Sequence, residues 1–116
     1  PNSISQHAGI EALKGTKETI NDIKKEFHKR KNFVHSKLNE LEKISCFEPG
    51  GAFYAFPNIS KSGMSAQKFA DIALEEKGVA LVPGTSFGDS AENFVRISYA
   101  NSMENLEKAI YRLSAI

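Results

Sequence analysis

Arg96 is the charged residue whose sequence surroundings most favour a binding role. It lies in the run Phe94–Tyr99, whose aromatic and β-branched residues predict a strand. Side chains alternate across a strand, so Val95, Ile97 and Tyr99 are expected to face the core, and Arg96 the opposite surface. A guanidinium matches a carboxylate through two parallel hydrogen bonds. From spacing alone, an arginine in a surface salt bridge is the commoner role for such a residue.

Two glycine-containing segments could bring backbone amides close to an anion. These are the pair Gly50–Gly51 and the loop Pro83–Gly88. Neither matches the G-x-x-x-x-G-K-[ST] or the G-x-G-x-x-G pattern of nucleotide-binding loops. We therefore interpret both as turns ordered by Pro and Gly, with the glycine pair permitting a positive φ.

No metal site or catalytic nucleophile is predicted. His28 and His35 are seven residues apart, whereas two metal ligands on one helix are usually three or four apart. Cys46 is the single cysteine, which excludes an internal disulfide and a cysteine-based zinc cluster, and we expect it to be a small buried hydrophobe. Ser86 has no G-x-S-x-G context that would make it a nucleophile.

The element that dominates the sequence is a long amphipathic helix from about Lys17 to Leu41. Its apolar residues recur at steps of three, four and seven and form one stripe: Ile20, Ile23, Phe27, Val34, Leu38 and Leu41. At 1.5 Å per residue it would be roughly 37 Å long. A helix of that length extends beyond a small domain, so its far end needs other protein to pack against.

The remaining elements predict an α+β fold. In chain order they are a short helix Ser3–Lys14, strands Ile44–Glu48 and Ala52–Phe56 joined by a turn, a helix capped by Ser65 and ended by Gly78, strands Val79–Val82 and Phe94–Tyr99, and a last helix capped by Ser102. Pro83 is expected to end its strand. We predict a small, mainly antiparallel sheet covered by helices on one face and preceded by the long helix.

Composition excludes several classes of protein. The chain has 116 residues, 41% hydrophobic and 25% charged, which is typical of a globular domain and not of a disordered or fibrous chain. Its net charge of +1 creates no field that favours nucleic acid or an anionic membrane. No apolar run is long enough to cross a bilayer. The single cysteine fits a reducing cytoplasm, and a start on Pro1 leads us to expect a piece of a longer protein.

Three motifs, in this order, carry a family resemblance. They are Glu48–Pro57 (EPGGAFYAFP), Gly78–Gly88 (GVALVPGTSFG) and Val95–Ala100 (VRISYA), preceded by PNSISQHA at Pro1–Ala8 and by the long helix. Together they resemble the C-terminal part of the fold-type I, class I/II aminotransferases that depend on pyridoxal phosphate, above all the prokaryotic aspartate aminotransferase branch. The resemblance covers essentially the whole chain.

The resemblance implies a division of the chain and a role for Arg96. Residues 1–15 would be a remnant of the large cofactor-binding domain, 16–43 the interdomain helix, and 44–116 the small C-terminal domain. Arg96 occupies the family position that binds the α-carboxylate of the amino-acid substrate. Phe53, Tyr54 and Phe87 are further candidates to approach the substrate from the same side, although aromatic packing between domains explains them equally well.

The resemblance also implies what this chain lacks. The Schiff-base lysine, the acidic partner of the pyridine nitrogen and the phosphate-binding residues belong to the family's large domain, and no segment here resembles them. We therefore expect no catalytic and no cofactor-binding residue in this chain, and no activity from it alone. The parent enzyme would transfer an amino group between an amino acid and a 2-oxo acid, as a cytoplasmic homodimer. A stand-alone α+β module that binds a small carboxylate or has a regulatory role is the alternative.

Overall fold

The computed structural model describes all residues, Pro1–Ile116. Its four α-helices and three short strands are α1 (Ser3–Lys14), α2 (Glu18–Asn39), β1 (Tyr54–Ala55), α3 (Ala66–Glu75), β2 (Val82–Pro83), β3 (Val95–Ser98) and α4 (Met103–Leu113). Single 3₁₀ turns lie at Ser60–Ser62, Gly84–Phe87 and Asp89–Ala91. None of the helices combines the length and the apolar character required to cross a membrane.

Local capping explains where two of these helices begin and one ends. The predicted caps Ser65 and Ser102 accept hydrogen bonds from the amides of Lys68 and Asn105, at the first turns of α3 and α4. Gly78 adopts a φ of 63° just beyond α3, and its amide donates to the Leu74 carbonyl. These caps confirm both helix starts, and Gly78 terminates α3 as predicted.

The sheet is antiparallel, with β3 in the centre and the order β1-β3-β2. Tyr54 lies opposite Ser98 on one side of β3, and Val82 lies opposite Arg96 on the other side. Single bridges between Ser45, Asn58 and Phe94 extend the pairing beyond the named strands.

Two strand predictions are wrong in detail. The run Ile44–Glu48 pairs only at Ser45, which bridges to Asn58 and not across a tight turn. Of the run Val79–Val82 only Val82 lies in β2, which ends at Pro83, opposite Val95, as predicted. A proline is tolerated there because β2 is an edge strand, where its missing N–H costs no ladder hydrogen bond.

The core lies between one face of β3 and the helices, as the α+β prediction required. Val95, Ile97 and Tyr99 are at most 4% exposed. The helical side chains buried in the same cluster are Val34, Leu38, Ala66, Phe69, Ala73, Leu106, Ile110 and Leu113. The sheet is thus covered by helices on one face, and the face that carries Arg96 is left open.

The N-terminal segment buries none of its side chains in this structure. Every residue from 1 to 25 is exposed, and the buried residues of α2 are Val34 and Leu38, both in its C-terminal half. Exposed apolar side chains on α1 and on the first turns of α2 are Ile4, Ile10, Leu13, Ile20 and Ile23. At 22 residues, α2 is about 33 Å long, and its residues 18–25, about 12 Å of that length, are all exposed, so the helix extends beyond the core as predicted.

Candidate functional site

The Arg96 guanidinium lies against two aromatic rings that come from either side of β3. Its Cζ atom is 4.4 Å from the centroid of the Tyr54 ring in β1 and 4.9 Å from the centroid of the Phe87 ring just after β2. Both distances are within the range in which a ring quadrupole attracts a cation. Strand alternation therefore places Arg96 on the open face of the sheet, and sheet order brings the two rings to it.

Arg96 has no charged partner within the chain. The five ion pairs of the structure join other residues, and no side-chain hydrogen bond involves the guanidinium. The side chain is half-buried, and none of its polar atoms is both buried and unsatisfied. The surface salt bridge that was the commoner expectation is absent from this structure. A guanidinium with its donors free and exposed to solvent is suited to receive a carboxylate from outside.

A second set of aromatic rings supports Phe87. The Phe56 ring meets Phe87 edge-on, with 5.8 Å between centroids and an interplanar angle of 81°. Phe56 also stacks on Phe94, with 5.3 Å between the ring centroids and an interplanar angle of 5°. Phe94 and Arg96 are two residues apart and therefore share one face of β3. The sequence already places Phe94 beside Arg96 by strand alternation, but it does not indicate Phe56, whose contact with Phe94 depends on the sheet register.

Phe53 is one ring further from Arg96 than Tyr54 is. Its centroid lies 4.2 Å from that of Tyr54 and 6.3 Å from that of Phe27 on α2. Of the three aromatic candidates, the structure thus brings Tyr54 and Phe87 to Arg96. It places Phe53 between Tyr54 and the long helix.

Tyr99 holds the segment that leads into Tyr54. Its hydroxyl donates to the Ala52 carbonyl at 3.1 Å and to the Gly51 carbonyl at 3.4 Å, and its amide donates to the Phe53 carbonyl at 2.9 Å. Burial raises the pKa of Tyr99 above its ordinary value, so the hydroxyl stays protonated and remains a donor. The sequence signal for this role is a tyrosine on the core face of a strand, because a buried tyrosine hydroxyl needs a partner.

The positive φ expected at Gly50–Gly51 occurs instead at the next residue. Ala52 has a φ of 60°, and neither glycine of the pair is in that region. Such a conformation costs a non-glycine residue of the order of 1–2 kcal/mol. The hydrogen bonds from Tyr99 to either side of Ala52 are the contacts that hold it there.

The loop Pro83–Gly88 is closely packed against the chain and is not an open cradle for an anion. A Cβ atom added at Gly84 would lie 2.1 Å from the Ala91 carbonyl oxygen and 2.6 Å from that of Phe94. The Gly84 amide donates to the same Phe94 carbonyl at 2.7 Å. Glycine is therefore required at position 84 for packing, which agrees with the interpretation of this loop as an ordered turn.

The remaining polar candidates form no second site. Lys31 donates to Glu48 at 2.6 Å, and this hydrogen bond lowers the pKa of Glu48 below its usual value. No three His, Cys, Asp or Glu side chains lie close enough together to hold a metal ion, and His28 and His35 belong to no such group. Cys46 is buried, as predicted, and burial raises its pKa.

Comparisons with known proteins identify the family of this chain. Residues 2–113 match the sequence profile of the family described as aminotransferase class I and II. The chain is 44% identical to a putative aminotransferase, YugH, of Bacillus subtilis, covering 96% of this chain and 28% of that protein. It is 45% identical to an aspartate aminotransferase of Pyrococcus horikoshii, covering 96% of this chain and 29% of that protein.

Comparison with solved structures gives the same family. The structure of an alanine aminotransferase from Pyrococcus furiosus superposes with a TM-score of 0.94 at 31% identity, covering 99% of this chain and 30% of that one. The chain thus spans less than a third of the length of each relative. Because the family profile covers nearly the whole sequence and the relatives agree in both sequence and fold, this chain belongs to the class I and II aminotransferases.

Proposed function

We propose that this chain is the C-terminal part of an aspartate-aminotransferase-like enzyme, in which Arg96 binds the α-carboxylate of the substrate. The observation that carries the proposal is the state of Arg96: a half-buried guanidinium on the open face of β3, without an acidic partner and against two aromatic rings. A charge held in this way is free to bind an external anion, and a planar carboxylate fits its parallel N–H donors.

In the reaction, the proposed role of this chain is to bind the substrate carboxylate and to orient the substrate. A carboxylate held by two hydrogen bonds has little rotational freedom, so the bond at the substrate α-carbon is presented in one direction to the rest of the active site. Tyr54 and Phe87 cover part of the guanidinium and exclude water from that part. Exclusion of water strengthens the pairing of the two charges.

The residues present do not fit the cofactor of the family. Class I and II aminotransferases depend on pyridoxal phosphate, which supplies the electron sink for the chemistry at the α-carbon. A phosphate needs converging amides or cations, but the glycine loop beside Arg96 is filled at Gly84 by the Ala91 and Phe94 carbonyls. Lys31, whose side chain is only 15% exposed, is already paired with Glu48. These residues therefore offer the cofactor no phosphate-binding site.

The proposed division of the chain assigns residues 1–15 to the large domain, 16–43 to the interdomain helix and 44–116 to the small domain. Residues 1–25 are all exposed and include five large apolar side chains, which supports a contact of this N-terminal part with other protein. The large domain of the same chain and a second subunit are the proposed partners.

For the whole enzyme we propose amino-group transfer between an amino acid and a 2-oxo acid by a cytoplasmic homodimer. Two of the relatives named above are an aspartate and an alanine aminotransferase, whose substrates differ in the side chain. Both amino acids carry an α-carboxylate, and Arg96 is proposed to bind that shared group. The chain of residues 1–116 alone is expected to be inactive.

Replacement of Arg96 in the full-length enzyme tests the proposal. Arg96→Met should lower kcat/KM for amino-acid substrates about 100-fold, because loss of a hydrogen-bonded charge pair commonly costs about 3 kcal/mol. Arg112→Met is the matched control, since Arg112 is an exposed arginine on α4 whose one hydrogen bond, to the Gly78 carbonyl, is 3.5 Å long. Equal kcat/KM values for the two variants would refute the assignment.

A further inference from the structure

The Arg96 side chain is held in one orientation without any hydrogen bond to its guanidinium. An arginine has several rotatable bonds and loses considerable freedom when it is fixed. In this structure neither an ion pair nor a hydrogen bond to the guanidinium fixes it, and the specific contacts it makes are with the rings of Tyr54 and Phe87. Preorganisation of Arg96 therefore rests on aromatic contacts.

We propose that Tyr54 and Phe87 are positioning residues that hold Arg96 ready for the carboxylate, and that Phe56 holds Phe87 in place. The inference rests on the proposed function of Arg96 and adds to it the residues that make it effective. Each of the three acts through Arg96 and not by contact with the substrate.

Aromatic rings suit this task better than an acidic side chain would. A carboxylate partner would orient the guanidinium, but it would occupy the same N–H donors that the substrate needs. A ring attracts the cation through its quadrupole and contacts the flat face, which leaves the N–H edge open. The arrangement thus combines orientation with vacant donors, and preorganised groups bind more tightly because less freedom is lost on binding.

Phe87 needs support of its own, because it ends a single 3₁₀ turn and is 52% exposed. Phe56, the residue directly after β1, meets it edge-on and stacks in turn on Phe94 of the central strand region. This contact links the loop after β2 to the other edge of the sheet. Phe56 is thus the side chain through which the sheet fixes the position of Phe87.

Propionate is a suitable probe in the full-length enzyme carrying its cofactor, because it offers a carboxylate, has no amino group and competes without reacting. Tyr54→Leu and Phe87→Leu should each raise its inhibition constant about three- to tenfold, the range expected for loss of one cation–π contact. Phe56→Leu should raise it about twofold to threefold by the same comparison. Tyr54→Phe keeps the ring and should restore binding to near the wild-type value.

Phe47→Leu is the matched control, since Phe47 is 88% exposed and contacts no other ring. It should leave the inhibition constant unchanged. Tyr54, Phe56 and Phe87 are all at least partly exposed, and thermal unfolding of each variant checks that the fold is intact.

A double-mutant comparison separates positioning from direct contact. In an Arg96→Met background, Tyr54→Leu and Phe87→Leu should have no further effect on propionate, because they act through Arg96. A continued loss of affinity in that background would overturn the inference in favour of direct substrate contact. Unchanged inhibition by propionate in the single variants would also overturn it, while leaving Arg96 in place. If Arg96→Met itself had no effect, the proposed function would fail as well.

Discussion

Gly84→Ala should destabilise the small domain strongly, because the structure leaves no space for a methyl group at this position. The added Cβ would lie 2.1 Å from the Ala91 carbonyl oxygen and 2.6 Å from the Phe94 carbonyl oxygen, both backbone atoms. Carbon and oxygen atoms in contact are more than 3 Å apart, so the loop must move by about 1 Å.

That movement would disturb two short hydrogen bonds. The Gly84 amide donates to the Phe94 carbonyl at 2.7 Å, and the Phe94 amide donates to the Ala91 carbonyl at 3.0 Å. Loss of each costs about 0.5–1.5 kcal/mol. Overpacking adds about 1–3 kcal/mol, so the total cost is roughly 2–6 kcal/mol. Since Gly84 begins the turn that ends at Phe87, substrate affinity should fall too.

Scanning calorimetry of the full-length enzyme measures the effect against a matched glycine control. Gly50→Ala places its methyl group where no atom lies within 4 Å and where φ is not positive. In an enzyme of roughly 400 residues, at about 2.1 cal/mol/K per residue, a loss of about 3 kcal/mol lowers Tm by about 4 °C, whereas Gly50→Ala should leave Tm within about 1 °C by the same conversion. If the two variants had the same Tm, the close approach of backbone atoms at Gly84 would be disproved.

Three further predictions concern the turn at Ala52, the loss of stability at acid pH and the behaviour of residues 1–116 alone. Ala52→Gly should raise the free energy of unfolding by about 1 kcal/mol, because it relieves a φ of 60°. Tyr99→Phe should lower the free energy of unfolding by about 1 kcal/mol, because it removes a hydroxyl donor. If the urea midpoints of the two variants moved in the same direction, this account would be contradicted. The hydrogen bond from Lys31 lowers the pKa of Glu48, so its contribution to stability is present above the unfolded pKa and is lost as the pH falls through the folded pKa. Glu48→Gln should therefore flatten the decline of Tm below about pH 5, and an identical pH profile would show that the pair contributes nothing. Residues 1–116 alone should self-associate in sedimentation experiments and retain no cofactor absorbance after dialysis; a monodisperse chain that binds amino acids would favour the stand-alone module.

The parts of the fold that the sequence predicts are those set by local chemistry. Ser65 and Ser102 cap helices because a serine hydroxyl accepts from an amide three residues later. Alternation along β3 assigns Val95, Ile97 and Tyr99 to the core and Arg96 to the open face. These features require no knowledge of distant residues.

The parts that the sequence does not predict depend on long-range pairing. Tyr54 and Phe87 meet Arg96 only because β1 and β2 lie on opposite sides of β3, and strand order is not encoded in any one segment. Pro83 is compatible with a strand only at an edge, so its place in β2 follows from the same order. The family resemblance made Tyr54 and Phe87 candidates to lie near Arg96, and the sheet order explains how the three side chains come together.

The central claim is that Arg96 recognises the negative charge of a carboxylate. The most direct measurement compares inhibition of the full-length enzyme by propionate and by its uncharged counterpart propionamide. The wild-type enzyme should bind propionate far more tightly than propionamide, and Arg96→Met should bind both with the same weak affinity. An Arg96→Met enzyme that still preferred propionate as strongly as the wild type would contradict the account.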